Sequence, residues 1–115
     1  LRLMLDPKQI NRAVLNVLLN ALEACPEGGR VRLFSRLTDR ACQVEIRDDG
    51  PGLDRETLEH VFDPYYTTKP GGTGLGLSIT RGVIEEHGGV IEMTGSPGQG
   101  CQVLISFPLD RVRAD

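Results

Sequence analysis

Two glycine-rich segments constrain this chain more than anything else in it: Asp48-Asp49-Gly50-Pro51-Gly52, and Gly71-Gly72-Thr73-Gly74-Leu75-Gly76-Leu77-Ser78. Each places several backbone N–H groups where no β-carbon blocks a close approach, which is what phosphate binding requires. The second segment runs into a helical pattern, so its amides and the positive end of that helix meet an anion together. Upstream, Asn16-x-x-x-Asn20 lies on an otherwise apolar helix. The three elements together read as a pocket for a nucleotide and its metal ion.

A chain of 115 residues is one domain, residues 1–115, with room for a single core. The net charge of −3 gives no global field for nucleic acid or an anionic membrane, so any phosphate binding must be local. No apolar run is long enough to span a bilayer, and the start carries no secretory pattern. Cys25, Cys42 and Cys101 form no Cys-x-x-Cys pair and read as buried thiols in a reducing compartment. The sequence opens in mid-pattern, with Leu1-Arg2-Leu3-Met4-Leu5, and reads as part of something longer.

Residues 1–5 suggest a short strand. Asp6-Pro7 is a helix start, an N-cap followed by proline in the first turn. The helix is apolar from Ile10 to Cys25 and stops at Pro26-Glu27-Gly28-Gly29. Arg30–Leu37 and Ala41–Arg47 alternate around Thr38-Asp39-Arg40 and predict a β-hairpin. A short helix follows around Asp54–His60. Phe62 to Gly74 lacks periodicity and predicts a long mobile loop. Leu75–His87 predicts a second full helix with Ile79, Val83 and Ile84 on one face and Gly88-Gly89 as its stop. Val90–Thr94 and Cys101–Phe107 predict another strand pair. Antiparallel strand pairs with two or three helices imply an α+β sandwich, one sheet covered on one face.

On the first helix Arg12, Asn16, Asn20 and Glu23 form one polar line, with Val14, Leu15, Val17, Leu18, Leu19 and Leu22 filling the rest. A solvated face is the alternative. Two asparagines one turn apart are a costly choice for that, since Asn is a mediocre helix former. Their amide oxygens suit Mg²⁺, a hard ion that keeps most of its waters beside phosphate oxygens. Asp48 ends a strand. A carboxylate there accepts from the exocyclic amine of adenine and repels the carbonyl of guanine, although an Asp before glycines is also an ordinary turn. Asp49 is expected to be exposed. The second glycine segment is neither a Walker loop, because Leu77 fills the lysine slot, nor a dinucleotide fingerprint, because Leu77 also replaces the third glycine. Phe62-Asp63-Pro64-Tyr65-Tyr66-Thr67-Thr68-Lys69 sets aromatic anchors beside a cation that can reach a phosphate; a plain surface loop is the alternative. His60 and His87 receive no catalytic role.

In this order the pieces resemble the ATP-binding catalytic domain of bacterial two-component sensor histidine kinases. Asn16 to Ala21 resembles the family's asparagine box, Asp48–Gly52 and Gly72–Leu77 its two glycine boxes, and Phe62–Lys69 its phenylalanine box. The wording around Pro26–Gly29 and Thr67-Thr68-Lys69 is most similar to the nitrogen-regulatory kinases. The resemblance implies a Bergerat-type fold, a two-layer α/β sandwich whose mixed, mostly antiparallel sheet carries helices on one face. It implies Asn20 as a Mg²⁺ ligand with Asn16 supporting the metal and phosphates, and Asp48 reading adenine with Gly50 and Gly52 giving the base room. It further implies Gly72, Gly74 and Gly76 as lid hinge and phosphate contact, with Phe62, Lys69, Thr73, Leu75 and Leu77 completing the ATP-binding set. Two positions depart from the pattern: Cys101 stands where threonine is common, and Glu23 where a basic residue is frequent.

Related ATPases of this superfamily carry a glutamate at the position of Asn16 to activate water, and an amide cannot act as that base. The resemblance therefore implies a domain that holds Mg·ATP and presents its γ-phosphate to a histidine on a separate dimerisation domain. No catalytic residue is assigned within this chain, because neither histidine has the context of a phosphoacceptor. The implied partners are that histidine-bearing domain, in a homodimeric parent, and a response regulator downstream; nucleic acid and direct membrane contact are not expected. The implied location is cytoplasmic, whether or not the parent is membrane-anchored. Two other readings are a serine kinase of the anti-sigma-factor type, against which Thr67-Thr68-Lys69 argues, and a nucleotide-binding regulatory module without transfer activity.

Overall fold

Asp6 and Pro7 start the first helix as their chemistry dictates. In the computed structural model, which describes residues 6–66 and 76–109, helix α1 spans Pro7–Ala24. The Asp6 carboxylate caps it, accepting from the N–H groups of Lys8 at 3.0 Å and Gln9 at 3.4 Å. Pro26 cannot continue it, and the last turn closes with the Cys25 N–H on the Ala21 carbonyl.

Strands β1 (Val31–Leu37) and β2 (Ala41–Asp48) form the expected hairpin, with Leu37 opposite Cys42 and Val31 opposite Asp48. Thr38 sets the turn: its hydroxyl oxygen accepts from the N–H groups of Arg40 and Ala41. Helix α2 covers Arg55–His60, capped by Asp54, whose carboxylate accepts from the Thr57 N–H at 2.7 Å. Helix α3 runs Gly76–Glu86 and ends in paired bonds, Gly89 N–H to the Ile84 carbonyl and Gly88 N–H to the Glu85 carbonyl. Strands β3 (Val90–Gly95) and β4 (Cys101–Pro108) pair antiparallel. The sheet order is β1-β2-β4-β3, and every described pairing is antiparallel, so the parallel component of the expected mixed sheet is not found among the described residues. The short strand expected at residues 1–5 lies outside the described residues.

One face of this sheet carries α1 and α3. Ala13, Val17 and Ala21 of α1 and Ile84 of α3 pack on Ile46 of β2, Ile91 of β3 and Val103, Ile105 and Phe107 of β4. The alternation along β4 places Val103, Ile105 and Phe107 inward and Gln102, Leu104 and Ser106 on the helix-free face. The expected two-layer α+β sandwich is the observed architecture.

On neither long helix does burial simply follow hydrophobicity. Leu15, Leu19 and Leu22 are about half exposed, on the side of α1 away from the sheet, while small residues Ala13 and Ala21 sit inside. Small side chains at the contact let the helix lie close to the sheet. On α3, Ile79 is 60% exposed and Thr80 is 2% exposed, the reverse of what hydrophobicity ranks. The reason lies in the hydrogen bonds of Thr80, described below. The three cysteines are free, as expected, but only partly buried.

Candidate nucleotide-binding site

The helix-to-sheet packing leaves Asn16 and Asn20 on the flank of the buried stripe of α1, both partly buried. They are therefore not a solvated face. Asn16 reaches 60 residues along the chain: its Nδ2 donates to the Gly76 carbonyl at 2.9 Å and to the Thr80 hydroxyl at 2.8 Å. The fold thus joins the asparagine pair to the start of α3, the helix that follows the second glycine segment. Of that segment, Gly76, Leu77 and Ser78 are described, and Leu77 is partly buried. A β-carbon at Gly76 would stand 3.3 Å from the Asn16 Nδ2, so close approach of the two helices is built into the glycine. Gly72, Thr73, Gly74, Leu75 and Lys69 lie outside the described residues, as does most of the loop predicted from Phe62 to Gly74.

Asp48 ends β2 with its carboxylate partly buried. Its Oδ1 accepts from the Gly50 N–H at 2.8 Å and from the Cys101 N–H at 3.3 Å. Its Oδ2 takes no hydrogen bond among the described residues, which leaves an oriented acceptor. Asp49 is exposed, as expected, and its carboxylate accepts from the Arg30 N–H at 2.9 Å. The glycines after it also serve the packing of the chain on itself. The space at Gly50 is bounded by the Asp48 Oδ1 at 2.7 Å and the Ala24 carbonyl at 2.8 Å. Gly52, at φ +75°, admits the Ser96 carbonyl, which would lie 2.0 Å from a β-carbon. Gly100, at φ +72°, admits the backbone carbonyl of Asp48 at the same distance. The missing side chains of Gly50 and Gly52 admit protein atoms, and the N–H groups of Gly50 and Cys101 hold the Asp48 carboxylate. Cys101 lies beside it; burial, and then the Asp48 charge, push its thiol above the ordinary cysteine range, so it stays protonated.

Phe62 packs against the core, and the Arg81 guanidinium lies 5.6 Å from its ring centroid. Arg81 also pairs with Glu85 at 3.2 Å, so Phe62 is held to α3. Tyr66 touches the His60 ring, whereas Tyr65 is exposed. The aromatic anchors thus divide: Phe62 and Tyr66 pin the loop start, and Tyr65 does not. His60 is engaged by Asp63 at 2.8 Å, which holds its pKa above the ordinary histidine value, and the His87 Nδ1 donates to the Val83 carbonyl at 2.7 Å.

No group of three or more His, Cys, Asp or Glu residues among the described residues can hold a metal ion. The amide oxygens of Asn16 and Asn20 are donors of the kind that fits Mg²⁺, a hard ion that takes few protein ligands. With its nitrogen committed to α3, Asn16 has only Oδ1 to offer. A separate cavity of about 310 Å³ shares Asp48 and Cys101 with the site. Its remaining wall, including Arg32, Arg47, Thr94 and Gln102, continues away from Asn16 onto the helix-free face of the sheet.

Sequence reasoning missed Thr80. The available signal was its position four residues after Gly76, where a hydroxyl can bond back to a helical carbonyl. It also missed Gly100, whose signal was the pair of glycines bracketing a short turn.

Residues 5–111 match the family described as histidine kinase-, DNA gyrase B-, and HSP90-like ATPase. Sporulation kinase A of Bacillus subtilis is 37% identical over 103 residues, covering 90% of this chain and 17% of that protein. The sensor histidine kinase ZraS of Escherichia coli K12 is 32% identical over 110 residues, covering 96% of this chain and 24% of its own length. The chain spans about a quarter or less of these relatives. Among solved structures, the catalytic domain of histidine kinase ThkA superposes with a TM-score of 0.83 at 35% identity, covering 94% of this chain and 72% of that one. The mycobacterial sensor histidine kinase MprB gives 0.82 at 33% identity, covering 92% and 74%.

Proposed function

The chain belongs to the histidine kinase-, DNA gyrase B- and HSP90-like ATPases, and from that premise we propose that it is the kinase module of a two-component sensor. In this reading it binds Mg·ATP in the cytoplasm and gives the γ-phosphate to a histidine on a separate dimerisation domain, from which a response regulator is charged. Sensor histidine kinases are among the relatives it aligns with.

The observation that carries the reading is the amide of Asn16. A hydrolase of this architecture needs a general base one turn before the metal ligand, and here that place holds a group without basicity. Its nitrogen is bonded to Gly76 and Thr80, so it serves to fix the start of α3. Phosphoryl transfer is largely positioning and charge stabilisation, so a domain without a base can still donate to an acceptor supplied from elsewhere. Asn20 and Asn16 would hold Mg²⁺ through their amide oxygens, and the ion would supply charge neutralisation to the phosphates. Lys69, Gly72, Thr73, Gly74, Leu75, Gly76 and Leu77 would surround the phosphates, Phe62 would anchor the loop that carries Lys69, and the Asp48 Oδ2 would accept from the adenine amine.

Calorimetry tests the base-reading step. Asp48→Ala is expected to weaken ATP binding by about 1.5–3 kcal/mol, the worth of a charge-assisted hydrogen bond, or roughly 10- to 150-fold. Inosine triphosphate, which lacks the exocyclic amine, is expected to lose far less. Equal losses for the two nucleotides would remove Asp48 from base recognition.

A further inference from the structure

Thr80 is buried, with 2% of its surface exposed, and it is the one buried polar side chain among the described residues. It stands on α3 one turn after Gly76. Its hydroxyl donates to the Gly76 carbonyl at 2.9 Å and accepts from the Asn16 Nδ2 at 2.8 Å. The same Nδ2 donates to the Gly76 carbonyl at 2.9 Å. The three groups close a triangle between α1 and α3.

The chemistry of the triangle fixes which way the Asn16 amide faces. A backbone carbonyl only accepts, and the Thr80 proton is already directed at it. Reversing the amide would set its Oδ1 against the Gly76 carbonyl, two acceptors in contact with nothing to donate. Both amide protons therefore point at α3, and Oδ1 is the single Asn16 ligand atom left for anything else. We propose that Thr80 is a positioning residue for the metal–nucleotide complex: by holding the Asn16 nitrogen toward α3 it presents the Asn16 oxygen to the Mg²⁺ hydration shell, and it couples the start of α3 to that metal. This rests on the reading of Asn16 and Asn20 as the metal-facing pair.

Without the hydroxyl, one Asn16 proton has no acceptor and the amide is held by the Gly76 carbonyl alone, so the position of its Oδ1 is less firmly set. The nucleotide's base and sugar contacts would be untouched, so the effect should fall on the Mg²⁺-dependent part of binding. Isothermal titration of the 115-residue chain with ADP, with and without Mg²⁺, reads this directly. For Thr80→Val, close in shape and lacking the hydroxyl, the gain in ADP affinity conferred by Mg²⁺ is expected to shrink about tenfold, as for one oriented hydrogen bond. Binding without Mg²⁺ is expected to stay within about twofold of the parent. Thr80→Ser, which restores the hydroxyl, is expected to recover the parent's response.

A parent chain whose ADP affinity does not respond to Mg²⁺ would overturn the metal reading of the asparagines, and this inference with it. A parent that responds and a Thr80→Val variant that responds equally would overturn the role of Thr80 alone. Equal losses with and without Mg²⁺ would show a packing role and overturn it too. A second measurement does not depend on the variant folding. In the parent chain the Asn16 side-chain NH₂ should give two resolved proton resonances protected from solvent exchange, and rapid exchange there would contradict the triangle.

Discussion

Asn20→Ala is expected to abolish phosphotransfer from ATP while leaving the domain folded. Asn20 follows Asn16 by one helical turn and is partly buried on the flank of α1 that faces the candidate site. Its side chain adds nothing to the apolar cluster of Ala13, Val17 and Ala21, so the helix should tolerate alanine. Its amide oxygen is the direct metal ligand in the proposed arrangement. Charge stabilisation by a metal on a transferring phosphoryl group is worth several kcal/mol, so the rate should fall by about 10³-fold or more. Circular dichroism should be unchanged. A variant that transfers within about tenfold of the parent would take Asn20 out of the metal site.

The second large effect concerns the frame around Asp48. Gly52→Ala and Gly100→Ala each place a β-carbon 2.0 Å from a backbone carbonyl, that of Ser96 and that of Asp48 respectively. Backbone cannot rotate aside as a side-chain tip can, so β2 and the turn between β3 and β4 must separate. About 1–2 kcal/mol for the left-handed conformation adds to about 1–3 for overpacking. Urea denaturation should therefore show roughly 2–5 kcal/mol of destabilisation in each. Gly98→Ala separates the two causes, because Gly98 also has positive φ, +81°, but a β-carbon there would meet nothing within 4 Å. It should cost only the conformational part, about 1–2 kcal/mol. Equal losses at all three positions would show that steric contact contributes nothing.

Much of this architecture could be read from local chemistry. Asp6-Pro7, Thr38 and Gly88-Gly89 each act on the few residues beside them, and their signals survive without knowledge of the fold. The alternation of Val103, Ile105 and Phe107 likewise needs only the pleat of a strand. What could not be read was orientation decided at a distance. α1 carries leucine on nearly every side, and periodicity alone cannot say which side meets a sheet. The sheet selected the face with Ala13 and Ala21, where small side chains permit close packing, and left Leu15, Leu19 and Leu22 outside. Thr80 displaced Ile79 from the interior for a similar reason: its hydroxyl finds partners on Asn16 and Gly76, and one of these lies 64 residues away.

The candidate site divides along the same line. The motifs named Asn16, Asn20 and Asp48, because each residue type suits one piece of ligand chemistry. The packing role of Gly52 was not legible, since Ser96 and Gly100 approach it only after the two strand pairs have joined into one sheet.

Transfer of label from γ-labelled ATP to a purified histidine-bearing dimerisation domain, supplied in trans with Mg²⁺, tests the central claim most directly. The 115-residue domain alone should hydrolyse ATP very slowly and acquire no label itself. Mixed with the acceptor domain, it should label the acceptor histidine, giving a product lost in acid and stable in base. Rapid ATP hydrolysis by the isolated domain, or an acid-stable label on a partner serine, would contradict the account.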